Sequence, residues 1–280
     1  MRVYQADAFA AVPYEGNAAA LVVFDSGAEW PSDRQMVFFA SEMSLSETAF
    51  AKPVGKPTRF VLRWFTPKNE VDLCGHATLA AGALIMAHET PPGTASVTFE
   101  TASGVLTVEE DSSDRMKFAM QLPSRPPATE KQHTVTAVAH AVGVGEDEVL
   151  SLNSARDLIV ELSSERAVRT AQPDFSRIMS LPFFAVCVTA PSDYREHDFV
   201  SRFFAPRQGL NEDPVTGSAH CSLAPLWEQK LQKSTLYAHQ VSQRGGELTC
   251  TLGTADAQHV TIAGPVSEIF AGELNSRLFN

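Results

Sequence analysis

The sequence predicts an α+β protein made of two similar halves, each a β-sheet wrapped around one apolar helix. Two short segments carry this prediction, because Gly75-His76-Ala77 and Gly217-Ser218-Ala219 both precede an apolar, helix-compatible run. They lie about half the chain apart, as expected for a duplicated domain. Around them, short alternating runs separated by turn residues are typical of strands in a meander.

The first half is predicted to consist mostly of strands. Residues 31–43 are predicted to form a helix, because Ser32 is a good cap and Asp33 follows in the first turn. Residues 77–88 are Ala-rich and apolar, which predicts a helix buried on several sides. The predicted strands are 2–9, 18–24, 46–51, 59–65, 96–101, 104–110 and 115–121.

Residues 123–127 are rich in proline and give the clearest linker signal. The first domain is therefore predicted at 1–122, completed by 267–280, and the second at 128–266. The predicted helices of the second half are 135–142, 175–180 and 221–232, and Ser218 is the expected cap before the last one. The predicted strands are 157–162, 183–189, 198–204, 236–240, 247–252 and 259–263, with a connection at 167–170 and a return to the first domain at 266–274.

The composition limits the kind of partner and cofactor. The 280 residues are 44% hydrophobic, enough for two substantial cores, and the formal net charge of −11 argues against nucleic acid or an anionic membrane surface as partner. An apolar run of about 18 residues is absent, so no membrane span is expected. Four scattered cysteines and a strand-like N-terminus favour a cytoplasmic protein with free thiols. Without a Gly-rich phosphate-binding motif, nucleotide and nicotinamide cofactors are not expected.

Glu47 is the first candidate for acid–base chemistry. In a strand it would share one face with Ala49 and Ala51, opposite Thr48 and Phe50. A carboxylate among small and apolar neighbours is expected to have a raised pKa, which suits a general acid or base. The alternative, from this fragment alone, is a glutamate that faces solvent.

The two predicted helix starts supply further candidates. His76 could hydrogen-bond a substrate or exchange protons near neutral pH, or it could only pack. Asp213 could accept a substrate amino group or orient a proton carrier, or it could serve only the Asp-Pro turn. Gly217 allows close backbone approach, and the N–H groups of a helix starting at Ser218 would attract an anion.

Cys74 is a candidate nucleophile or base of a different kind. A thiol at a helix start is expected to be partly ionised, and one such thiol in each half would make a two-base racemase. The matching position is Thr216, which cannot remove a proton from carbon, so Cys74 is predicted to be dispensable. The pairs Cys74/His76 and His220/Cys221 are too few and too close for a usual zinc pattern, and no metal is expected.

Five ordered groups of motifs resemble the PhzF family, which is named after phenazine biosynthesis. They are QADAF (5–9) with EGNAAALV (15–22), LSETAF (45–50), RWFTP (63–67) leading to EVDLCGHATL (70–79), RFFAP (202–206) leading to EDPVTGSAH (212–220), and QVSQRGG (240–246). Ala18 is a departure, because the family usually has proline there. This change should loosen a turn without touching the chemistry.

This resemblance implies the diaminopimelate-epimerase-like fold, with two pseudo-symmetric domains and an active site in the cleft between them. In the related proline racemases and diaminopimelate epimerases, a Cys-Gly pair opens each central helix. The family's known reaction is the isomerisation of dihydro-hydroxyanthranilate without a cofactor, and the family suggests a homodimer. The resemblance implies proton transfer by Glu47, support from His76, Asp213 and Ser218, and close approach of Gly75 and Gly217 to the substrate.

We therefore expect a cofactor-independent isomerase that moves a proton on a small carboxylate-bearing metabolite. The first alternative is a one-thiol epimerase or racemase that uses Cys74. The second is a catalytically silent protein that binds a metabolite or a partner. Solvent hydrogen exchange into a bound ligand separates an enzyme from a binding protein, and replacement of Cys74 separates the two enzymes.

Overall fold

The fold consists mainly of strands, with fewer helices between them, in the computed structural model, which describes residues 1–111, 114–253, 258–275 and 277–279. The strands are β1 (Arg2–Ala8), β2 (Asn17–Val23), β3 (Glu47–Pro53), β4 (Arg59–Phe65), β5 (Glu70–Val71), β6 (Ser96–Thr101), β7 (Gly104–Asp111), β8 (Asp114–Pro123), β9 (Ala128–Thr129), β10 (Val149–Ser154), β11 (Leu158–Leu162), β12 (Val186–Pro191), β13 (Phe199–Ala205), β14 (Leu210–Asp213), β15 (Thr235–Gln240), β16 (Gly246–Leu252) and β17 (His259–Glu273). The helices are α1 (Asp33–Met43), α2 (Gly75–His88), α3 (Val135–Val142), α4 (Glu165–Thr170), α5 (Phe175–Ser180) and α6 (Gly217–Leu231), with 3₁₀ turns at Glu146–Glu148 and Pro206–Gln208.

The contacts divide the chain into two compact units. Unit 1 is Met1–Gln121 with Ala263–Asn280, and unit 2 is Leu122–Ile262. The C-terminal strand β17 pairs with β1, which ties the end of the chain to its beginning within unit 1. Among the residues described, none of the helices is both long and apolar enough to span a membrane. The same part of the chain shows no disulfide among its four cysteines, all of which are buried.

The segment predicted to be a linker is held by hydrogen bonds to unit 2. Strand β8 continues to Pro123. The Ser124 N–H donates to the Gln258 carbonyl at 2.7 Å, and the Arg125 N–H donates to the Cys221 carbonyl at 2.8 Å. The prolines in this segment therefore mark the end of a strand and a tethered passage along α6.

In unit 1, eight strands of the described chain close a ring. β1 pairs with β2, β2 with β3, β3 with β4, β4 with β6, β6 with β7, β7 with β8 and β8 with β17, which pairs back with β1. Helix α2 contacts β1, β2, β3, β6 and β7, and its residues from Gly75 to Ile85 are buried. The ring is a barrel with α2 as its central helix, which confirms the fold predicted for this half.

Small residues allow α2 to lie this close to the strands. A Cβ added at Gly82 would lie 2.5 Å from the Val108 side chain on β7, so the approach requires glycine. On the opposite face of β3, Phe50 packs against α1 in an apolar cluster with Met36 and Phe65. α1 begins as predicted, because the Ser32 hydroxyl accepts the first-turn N–H of the helix in a capping box.

In unit 2, the strands form the order β9, β10, β11, β12, β13, β15 and β16, with β14 also paired to β13. The pairs β11–β12 and β13–β15 are parallel. Helix α6 contacts β15 and β16, and most of its residues from Gly217 to Trp227 are buried. Residues from α3, α4 and α5 pack with β11, β12 and β13 in the apolar core of this unit.

Helix α6 begins earlier than predicted. Gly217 is its first residue, and Thr216 occupies the N-cap position with an extended backbone, φ −117° and ψ 92°. The prediction of Ser218 as the cap is wrong, because Ser218 already lies inside the first turn. The Thr216 hydroxyl donates to the Asp213 carboxylate, so the residue at the cap position is used to fix a carboxylate.

The connection predicted at 167–170 is helical in the structure, so this prediction is also wrong. These residues belong to α4, which begins at Glu165 because the Ser164 hydroxyl accepts the Ala167 N–H at 3.2 Å. The sequence pattern also misses β5, β9, β10 and β14. β5, β9 and β14 are too short to show an alternating pattern.

Candidate active site

Glu47 opens β3 on the face that is turned away from α1. Its side chain is 20% exposed, and Ala49 and Ala51 on the same face are fully buried. The alternative of a solvent-facing glutamate is therefore wrong. Burial raises the pKa of the Glu47 carboxyl, and hydrogen bonds with Ser46 and Cys74 offset only part of this rise.

His76 contacts Glu47 from the first turn of α2. Its ring is 7% exposed, and Nε2 lies 3.4 Å from Glu47 Oε2 and 3.4 Å from Ser46 Oγ. The other ring nitrogen, Nδ1, lies 3.6 Å from Cys74 Sγ. The imidazole thus contacts the carboxyl and the thiol through different nitrogens, an arrangement in which a proton taken up at one atom can be redistributed.

Cys74 and Asn17 complete this cluster, which we call the Glu47 cluster (Asn17, Ser46, Glu47, Cys74 and His76). Cys74 is the N-cap residue of α2, and its thiol hydrogen-bonds the Glu47 carboxyl. The Ser46 hydroxyl also lies 3.4 Å from Oδ1 of Asn17, a buried residue at the start of β2. Two strands and the start of α2 therefore supply the cluster.

Three members of the Glu47 cluster offer atoms that could hold a metal ion. Ligand atoms of Glu47, Cys74 and His76 lie within 4.8 Å of one another. The sequence spacing does not predict this group, because Glu47 is distant from the other two in the chain. These ligand atoms also contact one another as hydrogen-bond donors and acceptors, an arrangement that suits proton transfer.

Asp213 is fixed in unit 2 by the turn that precedes α6. Its carboxylate accepts the Thr216 hydroxyl hydrogen. The buried side chain of Gln240 accepts the Thr216 N–H at 2.9 Å and donates to the Asp213 carbonyl at 2.7 Å. Both polar ends of Gln240 are thus used to hold the turn, which gives the Asp213 carboxylate a defined position.

Gly217 and Ser218 form the first turn of α6. Gly217 is buried, and the Ser218 Oγ accepts a hydrogen bond from Nη2 of Arg156 at 3.2 Å. His220, two positions further along, donates to the Thr216 carbonyl through Nδ1 at 2.9 Å. Burial lowers the pKa of His220 to about 4, so His220 is neutral near pH 7 and has a packing role.

The residues predicted for the site fall into two sets, one in each unit. Glu47, Gly75 and His76 lie together in unit 1, and Asp213, Gly217 and Ser218 lie together in unit 2. Four further residues at these two sets have no role that the sequence predicts. Asn17, Ser46 and Gln240 lie inside the family-like motifs, which is the signal that could have found them, whereas Arg156 lies outside every motif.

The barrel around the central helix α2 identifies the class of fold, which is epimerase-like. A probable proline racemase from Agrobacterium radiobacter shares this fold at 10% identity, with a TM-score of 0.57 over 100% of this chain and 94% of the other. A PhzF family phenazine biosynthesis protein from Enterococcus faecalis is more similar in structure, with 36% identity and a TM-score of 0.86 over 98% of both chains.

The sequence comparisons identify the family. An uncharacterized isomerase of Pseudomonas aeruginosa is 41% identical over 98% of this chain and 99% of its own length. The family model described as phenazine biosynthesis-like protein matches residues 6–272. The chain therefore belongs to the phenazine biosynthesis-like family, and the family and its relatives make it an isomerase.

Proposed function

We propose that this chain is a cofactor-independent isomerase in which Glu47 removes a proton from one carbon of a small carboxylate-bearing metabolite and returns it to another position. The observation that carries the proposal is the mostly buried Glu47 carboxyl, whose pKa is raised and which contacts His76 and Cys74. A carboxyl with a raised pKa can serve as base and then as acid near neutral pH.

The proposed reaction balances without an added oxidant or reductant. Ionised Glu47 accepts a proton from a carbon next to an electron-withdrawing group, and the C–H electron pair moves into the conjugated system. The protonated carboxyl, which burial favours, then delivers the proton to another atom of the same molecule, and the double bond changes place. His76, with Nε2 3.4 Å from the carboxyl, stabilises the charge or carries the proton between positions.

We assign substrate binding to the residues of unit 2. The Asp213 carboxylate, held by Thr216, would accept a hydrogen bond from a substrate amino or hydroxyl group. The first N–H groups of a helix have no partner inside it, so those at Gly217 and Ser218 would hold a substrate carboxylate together with the Ser218 hydroxyl. In unit 1, Gly75 at the start of α2 would give the substrate the same close access to backbone.

A screen in heavy water tests this proposal. Small cyclic acids and amino acids are incubated with wild-type protein, Glu47→Gln and Glu42→Gln, and deuterium gain is followed by mass spectrometry. Glu42 is an exposed glutamate on α1, so its substitution gives the same change in charge away from the Glu47 cluster. We expect deuterium in at least one metabolite with the wild type and Glu42→Gln only. Undiminished exchange by Glu47→Gln would rule out Glu47 as the base.

A one-thiol epimerase is the second candidate, and the position of Cys74 favours it. The thiol lies 3.6 Å from His76 Nδ1 at the start of α2, where the helix dipole favours a thiolate. Exchange that is lost in folded Cys74→Ala and kept in Glu47→Gln would establish this mechanism. Binding of metabolites without any hydrogen exchange would instead identify a binding protein.

A further inference from the structure

Arg156 lies next to Ser218 although it belongs to the turn between β10 and β11. Its Nε and Nη2 donate to the Asp157 carboxylate at 3.0 Å and 2.8 Å, and Asp157 is only 3% exposed. The guanidinium carbon lies 4.3 Å from the centroid of the Phe184 ring. A two-pronged ion pair and a stacked ring fix the orientation of the guanidinium, so its remaining donors point in a defined direction.

The contact between Arg156 and Ser218 leaves both residues able to donate a further hydrogen bond. Nη2 of Arg156 donates to Ser218 Oγ at 3.2 Å, while Nη1 takes part neither in this bond nor in the pair with Asp157. The bond uses a lone pair of the Ser218 hydroxyl, whose own hydrogen stays able to donate. Two adjacent donors of this kind match the two oxygens of a carboxylate.

Two arginines lie close to the first turns of α6. The Arg125 N–H donates to the Cys221 carbonyl, which brings a second arginine to this helix. Burial raises the pKa of Cys221 to about 11, and Arg125 and Arg156 oppose this rise, whereas Asp157 adds to it. The charges of both guanidinium groups therefore act on Cys221 in the second turn of α6, and Asp157 opposes them.

We infer that Arg156 and Ser218 form a carboxylate-binding pair, which makes the protein select metabolites with a carboxylate over neutral analogues of the same shape. The inference rests on the proposed function for its biological use, because it names the residue that recognises the anionic group of the substrate. Arg156 both donates to the carboxylate and orients the Ser218 hydroxyl toward it.

The test compares two probes that differ only in charge. Anthranilate carries a carboxylate, and 2-aminobenzamide carries a neutral amide on the same ring, so the ratio of their dissociation constants measures selection for the anion. Calorimetry with wild-type protein should show tighter binding of anthranilate by ~10-fold or more, the range of a charge-assisted hydrogen bond. A wild-type protein without this preference would overturn the inference.

Substitutions then assign the preference to Arg156. Arg156→Met should abolish it by weakening anthranilate alone, and Arg156→Lys should keep part of it, because lysine retains the charge without the planar fork. Arg177→Met is the matched control, because Arg177 forms an Arg–Asp pair with Asp174 at 3.1 Å on α5. Folded Arg156→Met with an unchanged preference would contradict the inference.

Two more measurements separate folding and catalysis from recognition. Arg156→Met leaves buried Asp157 without its partner, so Ser218→Ala, which keeps that ion pair, must also reduce the preference if the pair binds carboxylate. Glu47→Gln should keep the wild-type preference while it loses hydrogen exchange. Loss of preference in Arg156→Met together with normal exchange in Glu47→Gln would support this inference and refute the proposed role of Glu47.

Discussion

Glu47→Gln should change catalytic rate and folding stability in opposite directions. Glutamine keeps the shape of the side chain and can still bond with Ser46 and Cys74, but it cannot accept the substrate proton. Positioned acid–base groups contribute ~10²-fold or more, so turnover should fall by at least that factor, a barrier increase of ~2.7 kcal/mol. The variant should fold normally and still bind ligand, because His76 and the start of α2 are unchanged.

The effect on stability follows from the raised pKa of Glu47. The folded protein holds a proton on this carboxyl at pH values where the unfolded chain has lost it, starting from the ordinary value of 4.5. The contribution of this group to stability is therefore fully present below pH 4.5 and is lost as the pH rises through the folded-state pKa. Glutamine is neutral at every pH, so the variant should gain stability relative to wild type as the pH rises above 4.5.

Thermal unfolding at a series of pH values between 4 and 8 measures this difference, with Glu42→Gln as the control for a change in net charge. The melting temperature of Glu47→Gln minus that of wild type should increase with pH, and the control should show no such trend. A difference that shrinks with pH would show that the cluster stabilises the carboxylate form, and retained turnover would remove Glu47 from the mechanism.

Cys74→Ala should keep turnover within about tenfold, a barrier change of ~1.4 kcal/mol, and complete loss in a folded variant would favour the thiol mechanism. Gly82→Ala should lower the free energy of unfolding in urea by ~1–3 kcal/mol through overpacking against Val108, whereas Gly272→Ala, whose nearest neighbour would be 3.9 Å away, should not. Burial lowers the pKa of His220 to about 4. The contribution of His220 to the free energy of unfolding is therefore fully present above pH 6.5 and is lost as the pH falls toward 4. The melting temperature of His220→Gln should therefore fall less steeply than that of wild type as the pH is lowered from 6.5 to 4. An equal slope for both proteins would show that His220 is not a buried, neutral histidine.

The sequence predicts the fold well where the signal is local. The Ala-rich run of α2 has no polar face, so it must be surrounded by other elements, and the barrel around it supplies them. The start of α6 is predicted wrongly because serine is a good cap in isolation. In the structure Thr216 takes the cap position instead, where it is held by hydrogen bonds with Asp213 and Gln240. Such tertiary contacts override the local preference of serine for the cap position, and they cannot be predicted from the neighbouring sequence.

The site is predictable only as far as its members are close in sequence or share a strand face. Glu47 stands out by its small, buried neighbours Ala49 and Ala51, and its own side chain is only 20% exposed, a burial that raises its pKa. Gln240 lies 24 positions from Thr216, and Arg156 lies 62 positions from Ser218. Gln240 and Arg156 each reach their partner only because the fold places distant parts of the chain side by side. A single sequence does not indicate such a contact.

Cys74 and Thr216 show how one position can change its chemical role. Each is the N-cap residue of the buried helix of its unit. The resemblance implies that related racemases and epimerases have a cysteine base at both positions. Here the Cys74 thiol hydrogen-bonds Glu47, and the Thr216 hydroxyl donates to Asp213. Both residues therefore act toward a carboxyl group as hydrogen-bond partners. Because a threonine cannot remove a proton from carbon, a symmetric two-thiol mechanism cannot operate, which is why we propose the Glu47 carboxyl beside Cys74 as the group that moves the proton and keep a single-thiol mechanism as the alternative to be tested.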